Sequence, residues 1–207
     1  MRALLAPFVL TVATLFHVPS SAIAAPTASI GGGSTAIRLA APFTTTLSLL
    51  NIGVSKVEES TVRNGAIVSP VIEGIIDRAD ARGEVQHSGG VRFGRTSVFV
   101  RFSNFILDTT GASPVLTADV VVNNSVVSRQ PVFNVTLPTL TLPIPTTRRL
   151  LSVRSMALSL SPEAAAVLNS AFATTSFAPG LSVGRASTLM VFGRSPQGIL
   201  RGASDEK

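Results

Sequence analysis

The 207-residue chain contains no cysteine. Disulfide bonds are therefore excluded, and the folded state must be stabilised by packing and by hydrogen bonds within its secondary structure. Hydrophobic residues make up 45% of the sequence, and a chain of this length can bury a sizeable core. We expect a single globular domain.

Charge is also scarce. Asp, Glu, Lys and Arg together form 14% of the chain, and the formal net charge is +6. Lysine is nearly absent, and Arg148-Arg149 is the largest basic cluster. A nucleic-acid-binding domain normally gathers Lys and Arg on one face, together with stacking aromatic residues. The sequence therefore predicts no nucleic-acid partner and only a weak attraction to anionic surfaces.

Long apolar runs are missing apart from one at the N-terminus. Residues 3–18 follow Met1-Arg2 with almost no polar side chain, and Ala22-Ile23-Ala24 supplies a small-x-small triplet. This is the pattern of a secretory signal peptide in residues 1–24, and the run is shorter than the ~20 residues that span a bilayer. We expect cleavage after Ala24 and a secreted or cell-surface product that does not span the membrane.

The rest of the chain divides by its periodicity. Residues 25–36 include Gly31-Gly32-Gly33 and show no apolar period, so they predict a flexible leader. Residues 37–192 carry the apolar patterns of a folded β domain. Residues 193–207 are polar and predict a tail without a hydrophobic anchor.

The central segment, residues 83–107, contains two runs with a side-chain period of two. Val91 and Phe93 flank Arg92, and the run from Val98 to Phe102 continues in the same way. This period is that of a β-strand, and no helix fits it. Gly89-Gly90 interrupts the pattern, which predicts a bulge or tight turn because glycine tolerates positive φ and close backbone approach.

Further period-2 runs predict strands along the rest of the domain, at residues 44–57, 66–76, 115–122, 126–137, 150–160 and 181–192. The turn Asn123-Asn124-Ser125 predicts a hairpin between two of them. In the run 150–160, strict alternation places Met156 and Leu158 on the face of Leu150. The proline-spaced segment 137–145 cannot be a central strand, so we expect it to run over an edge or to wrap around the sandwich.

One helix has a clear start signal. Ser161 can cap free backbone amides, Pro162 suits the first helical position, and Glu163 favours the positive end of the helix dipole. The following alanines propagate a helix well, and it should end near Phe172. The sequence therefore predicts an all-β fold, a single-domain antiparallel β-sandwich-like module with one short peripheral helix at about 162–172.

Residues that could carry chemistry are few. Asp77, Asp80, Glu84 and His87 lie within eleven positions and could hold calcium or form an acid/base pair, but their spacing matches no calcium loop. An exposed turn explains the three carboxylates equally well, and a hydrogen-bonded strand-end histidine explains His87. No serine lies in a Gly-x-Ser-x-Gly elbow. We predict neither an enzyme nor a metal site.

An ordered set of short motifs resembles the HtaA domain family. The motifs are residues 90–107 (GVRFGRTSVFVRFSNFIL), 116–120 (LTADV), 158–166 (LSLSPEAAA) and 177–181 (FAPGL), and they cover about the last three-fifths of the chain. The resemblance implies a secreted or surface-anchored β-rich module of the kind that serves bacterial haem uptake, in which a tyrosine ligates the iron and a histidine supports it.

The resemblance also implies where a ligand would bind. The family often carries its histidine after the position of Phe93-Gly94, where this chain has Arg95, and the chain contains no tyrosine. We therefore take His87, Phe93 and Arg95 as the candidate cofactor-binding residues and expect at best weak haem binding. His87 is the candidate nitrogen ligand, and Met156 and Met190 are the candidate soft axial contacts.

Two functional classes follow. The first is a secreted, non-catalytic binding module for haem or another lipophilic small molecule. The second is a structural or cell-surface interaction protein without a small-molecule ligand, whose exposed sheet contacts a cell-surface component or another macromolecule.

Overall fold

The computed structural model describes residues 26–193. Within this range the chain forms eleven strands and two helices. The strands are β1 Thr27–Leu39, β2 Gly53–Val57, β3 Thr61–Arg63, β4 Ala66–Asp77, β5 Gly83–His87, β6 Gly90–Arg95, β7 Val98–Asp108, β8 Val115–Val122, β9 Ser125–Thr136, β10 Leu150–Leu160 and β11 Ser182–Phe192, and the helices are α1 Ala41–Leu49 and α2 Pro162–Phe172. The predicted signal peptide (1–24) and all but the first residue of the predicted tail (193–207) lie outside the described residues.

The strands form one antiparallel sheet that closes on itself. Its path runs β2-β6-β7-β5-β4-β1-β11-β10-β9-β8, and β8 also pairs with β7. Eight strands therefore form a ring, while β2 and β6 extend from one edge of β7 and β3 pairs with β4. The all-β prediction is confirmed. The sandwich-like arrangement is corrected, because a single closed sheet encloses the core instead of two stacked sheets.

The predicted flexible leader at residues 25–36 is wrong from Thr27 onward. β1 lies between β4 and β11 and pairs with both. The glycines that suggested flexibility allow close packing instead, because a Cβ at Gly33 would collide with the carbonyl group of Leu189 on β11.

A second helix, α1, occupies the first part of the predicted strand 44–57. Phe43 and Leu47 are four residues apart and both buried, so they share one face of the helix. Phe43 packs against Phe93 and Phe177, with ring centroids 5.7 and 6.1 Å apart. This packing outweighs the low helix propensity of the threonines, and only the end of the predicted strand, β2, is extended.

The predictions with local signals are confirmed. α2 spans Pro162–Phe172, and the Ser161 hydroxyl accepts a hydrogen bond from the Ala164 amide at 3.0 Å. β8 and β9 form the predicted hairpin around Asn123 and Asn124, both of which have positive φ. β10 has the predicted limits. The distribution of its side chains between the two faces differs from the prediction. A bulge between Val153 and Met156 places Met156 inside, whereas Leu150 is exposed.

Different segments cover the two ends of the ring. At one end, α1 packs on β11, and α2 packs on β7 and β9. At the other end, the proline-spaced residues 137–149, which we name the strap, connect β9 to β10. Arg78 holds the strap: the Ile144 amide donates to the Arg78 carbonyl, and Arg78 Nη1 donates to the Pro145 carbonyl, both at 2.7 Å.

Neither helix of residues 26–193 is long and apolar enough to cross a bilayer.

Candidate functional site

His87 lies inside the closed sheet. Its imidazole is 2% exposed, its Nδ1 is 3.1 Å from the Phe105 carbonyl oxygen, and its Nε2 is 2.7 Å from Thr35 Oγ1. A carbonyl oxygen can only accept, so Nδ1 carries the proton and Nε2 accepts from the Thr35 hydroxyl. Thr35 Oγ1 in turn lies 2.8 Å from Thr188 Oγ1. Both ring nitrogens are therefore satisfied by the protein.

Burial keeps this imidazole neutral. Desolvation lowers the pKa of His87 to about 4 and outweighs the backbone hydrogen bonds to Phe105 and Val85, which raise it. A neutral imidazole is the form that ligates metals. Its free lone pair, however, lies on Nε2 and is already used by Thr35.

Two small cavities lie beside His87 in the interior. One, of about 10 Å³, is bounded by His87, Thr35, Thr188 and Met156 among others. The second, of about 30 Å³, lies under the strap and is bounded by Leu137, Leu140, Met156 and Met190 among others. Volumes of this size hold one or two water molecules, whereas ligand pockets usually measure about 300–1,000 Å³.

The structure thus brings His87 and Met156 to one cavity and Met190 to its neighbour. Both methionines are buried, at 2% and 4% exposure. Sequence reasoning missed Thr35 and Thr188, which complete the polar group around His87. Thr35 lies in the segment predicted to be a flexible leader. No local signal links it to His87, 52 positions away, or links Thr188 to His87, 101 positions away.

Phe93 belongs to the core at the helical end. Its side chain is fully buried, and its ring makes edge contacts with Phe43 and Phe102 at 5.7 Å each. Arg95, two residues later, is half-buried on the same strand. The three candidate residues therefore do not converge on one site.

Arg95 joins the C-terminal ends of the two helices. Its Nη1 donates to the Leu50 carbonyl at 3.4 Å and its Nη2 to the Phe172 carbonyl at 3.2 Å. These residues stand at the C-terminal ends of α1 and α2, where the helix dipole favours a cation. Each helix has no basic residue in its own last turn, so Arg95 supplies that charge from β6.

We expect Arg95→Ala to lower the free energy of unfolding by about 1–2 kcal/mol, because two carbonyls lose a charged donor. Arg63→Ala, which removes an exposed arginine from β3, is the matched control and should change stability by less than about 0.5 kcal/mol. Urea unfolding followed by circular dichroism measures both. Equal stability of the Arg95 variant and the wild type would contradict this role.

The acidic cluster is not assembled into a site. Asp77 Oδ1 accepts from the Ala79 amide and Asp80 Oδ1 from the Arg82 amide, so both carboxylates stabilise the exposed turn between β4 and β5. Glu84 is exposed, whereas His87 points inside. Within residues 26–193 no group of three His, Asp or Glu side chains is placed to hold a metal ion.

Comparison with known proteins identifies the fold. No family model and no curated protein sequence matches the chain. Among solved structures, the C-terminal domain of HtaA from Corynebacterium glutamicum matches with a TM-score of 0.62 at 19% identity, over 80% of this chain and 99% of that domain. The N-terminal domain of the same HtaA matches with a TM-score of 0.55 at 12% identity, over 80% and 99%. The heme binding protein HtaB from the same organism matches with a TM-score of 0.50 at 14% identity, over 81% and 96%.

The closed antiparallel sheet with its two helices is therefore the fold of the HtaA domains. The chain resembles the HtaA family in its fold, at 12–19% sequence identity. The likeness extends beyond the last three-fifths of the sequence that carry the short motifs, since the matches cover about 80% of the chain.

Proposed function

We propose that this protein is a secreted, non-catalytic binding module for a lipophilic small molecule, of which haem is the first candidate. The fold supports this proposal, because a protein of the same fold is described as heme binding. We place the site at the apolar cavity under the strap, where binding requires the strap to open, because the closed cavity of about 30 Å³ holds only one or two water molecules.

We place the ligand entrance at the strap end of the ring. The cavity beneath the strap is lined by aliphatic and methionine side chains, with Thr109 and Thr188 as its polar residues. The strap itself is not part of the sheet. Ile144 packs into the core, and the hydrogen bonds of the strap to the rest of the domain are those with Arg78 and one from the Phe192 amide to the Arg149 carbonyl. An irregular segment with few hydrogen bonds opens at a lower free energy than a paired strand.

Haem binding through His87 carries a structural cost. The iron would need the Nε2 lone pair that accepts from Thr35, and the tetrapyrrole would need far more space than the two cavities supply. Breaking the hydrogen bond from Thr35 to His87 Nε2 costs about 1–3 kcal/mol, which weakens binding roughly 5- to 150-fold.

We therefore expect hemin to bind weakly, with a Kd of about 1 μM or higher. Titration of the protein with hemin, read by the Soret band, measures this. The His87→Gln variant retains an amide donor and acceptor in the cavity, and it should lose the spectral shift. Glu84→Gln is the control, because it changes an exposed residue of the same strand and leaves both cavities and the nitrogen ligand intact.

Tight hemin binding that survives His87→Gln would contradict ligation by this residue. A neutral fluorescent probe, N-phenyl-1-naphthylamine, tests for binding of lipophilic molecules other than haem. Saturable binding of this probe supports a lipophilic site even if hemin does not bind. Binding of neither probe would favour the second candidate function.

That second candidate is a surface-interaction protein. It is favoured by exposed aliphatic side chains on the outer face of β4, β10 and β11, which are 42–61% exposed at Ile72, Ile75, Leu150, Leu189 and Val191. Apolar groups gathered on one face of a sheet are typical of contact surfaces.

A further inference from the structure

Two arginines stand directly opposite each other on the outer face of the sheet. Arg92 of β6 and Arg101 of β7 are partners in the strand register. Their chain neighbours Val91, Phe93, Val100 and Phe102 are all buried, so the two guanidinium groups share the outer side. Like charges directly opposite each other destabilise a sheet. We therefore expect a negatively charged group to neutralise this pair.

No carboxylate of residues 26–193 provides that compensation. The ion pairs in this range are Arg82 with Asp80 and Arg129 with Asp119. Asp119 is the acidic residue of β8 near Arg101, but it is already engaged by Arg129 at 2.8 Å and by Asn104 at 2.9 Å. Arg101 Nε is buried and has no hydrogen-bond partner among the described residues.

The position of Arg92 is set by packing. Its Cζ lies 4.4 Å from the centroid of the Phe99 ring. The Arg92 side chain also passes over Gly94, since a Cβ added to that glycine would lie 3.6 Å from Arg92 Cζ. Stacking of this kind holds a guanidinium plane in place and leaves its N–H groups free to bind at the edge.

A surface groove adjoins Arg92 on the side of β2, whereas Arg101 lies on the opposite side of Arg92, on β7. It has a volume of about 270 Å³ and is lined by Gly53, Val54, Ser55, Arg92, Gly94 and Thr96. Ser55 is the register partner of Arg92 on β2. The groove therefore combines a fixed cation with hydroxyl groups and the partly exposed side chain of Val54.

We infer that Arg92 and Arg101 form an oxyanion-binding site, which takes a phosphate or carboxylate group of a ligand lying in this groove. Guanidinium groups match both oxyanions in geometry, since each presents parallel N–H donors. Ser55 and Thr96 supply further donors. The site lies on the outer face of β6 and β7, whereas the strap cavity is inside the ring, so this inference does not depend on the proposed lipophilic ligand.

Thermal unfolding with inorganic phosphate as the probe tests this site. At constant ionic strength, set with sodium chloride, phosphate should raise the Tm with the logarithm of its concentration above Kd, by about 5–10 °C at a 100-fold excess over Kd. Arg92→Gln and Arg101→Gln should each abolish the rise. Without phosphate Arg101→Gln should be as stable as the wild type or more stable, because the repulsion between like charges is removed. In Arg92→Gln the same gain is offset by loss of the stacking on Phe99. Arg154→Gln removes an exposed arginine from β10 and is the matched control, which should keep the full rise.

Absence of a phosphate-dependent rise in the wild type, or an equal loss of the rise in the Arg154→Gln control, would overturn the inference. Arg101→Lys adds a sharper test, because it keeps the charge but lacks the planar fork, and it should weaken phosphate binding at least tenfold. Succinate in place of phosphate identifies a carboxylate ligand. Phosphatidylglycerol vesicles that displace phosphate from these arginines identify a lipid headgroup as its source, and failure to displace it identifies a free anion.

Discussion

Gly90→Ala should lower the free energy of unfolding by about 3 kcal/mol or more. A Cβ at this position would collide with the carbonyl group of Phe102 and would lie 2.7 Å from Ser103 Cα. Both obstacles are backbone atoms of β7, so no side-chain rotation relieves the clash. The strands β6 and β7 would have to separate at the start of their pairing, Gly90 with Ser103.

Gly53→Ala is the matched control for this substitution. Gly53 also lies in a strand of the same sheet, but a Cβ there meets only the Gly94 carbonyl oxygen at 3.6 Å, an ordinary contact. The control should change stability by less than about 1 kcal/mol. Guanidinium unfolding followed by circular dichroism is the suitable measurement, because the chain has no tryptophan or tyrosine to report by fluorescence. Equal stabilities of the two variants would contradict the close approach of β6 to β7.

The stability of the protein should fall as the pH falls from about 7 to about 4, through His87. Its pKa is about 4 in the folded state and 6.5 in the unfolded chain, so the unfolded state binds the proton first. Below pH 6.5 the unfolded state gains a proton that the folded state does not accept until about pH 4. The stabilisation from the neutral imidazole is complete above the unfolded pKa and is lost as the pH falls, by roughly 3 kcal/mol in total.

The His87→Gln variant isolates this contribution. Unfolding free energies of variant and wild type, measured in urea between pH 4 and pH 8, should differ by an amount that decreases steadily from pH 7 to pH 4. Carboxylates contribute equally to both proteins and cancel in the difference. A difference independent of pH would mean that the imidazole is accessible to protons in the folded state.

The same buried position limits His87 as a metal ligand and makes it a structural residue. Thr35, Thr188 and the Phe105 carbonyl tie together β1, β11, β5 and β7, four strands of the closed ring. A buried polar group that is fully satisfied stabilises one arrangement of strands over others. The proposed ligand function is therefore tested at His87 with hemin, and the proposed anion site is tested separately at the outer arginines.

Several elements follow from the amino-acid sequence alone, because their signals are local. The start of α2 depends on Ser161 and Pro162, and the hairpin depends on Asn123 and Asn124, all of which act on backbone groups within a few residues. The β character of residues 83–107 follows from a period of two, which sets the direction of neighbouring side chains whatever they pack against. The family motifs have the same local nature and led to the fold that the comparisons support.

Tertiary structure decided the features that depend on distant partners. Closure of the sheet requires β8 to pair with β7 as well as β9, and β1 becomes a central strand only because β4 and β11 lie on either side of it. α1 is helical because Phe43 finds Phe93 and Phe177, and the bulge in β10 exchanges the faces of that strand. The environment of His87 joins residues 52 and 153 positions apart. Such contacts form through the packing of the whole chain, and the periodicity of one segment does not encode them.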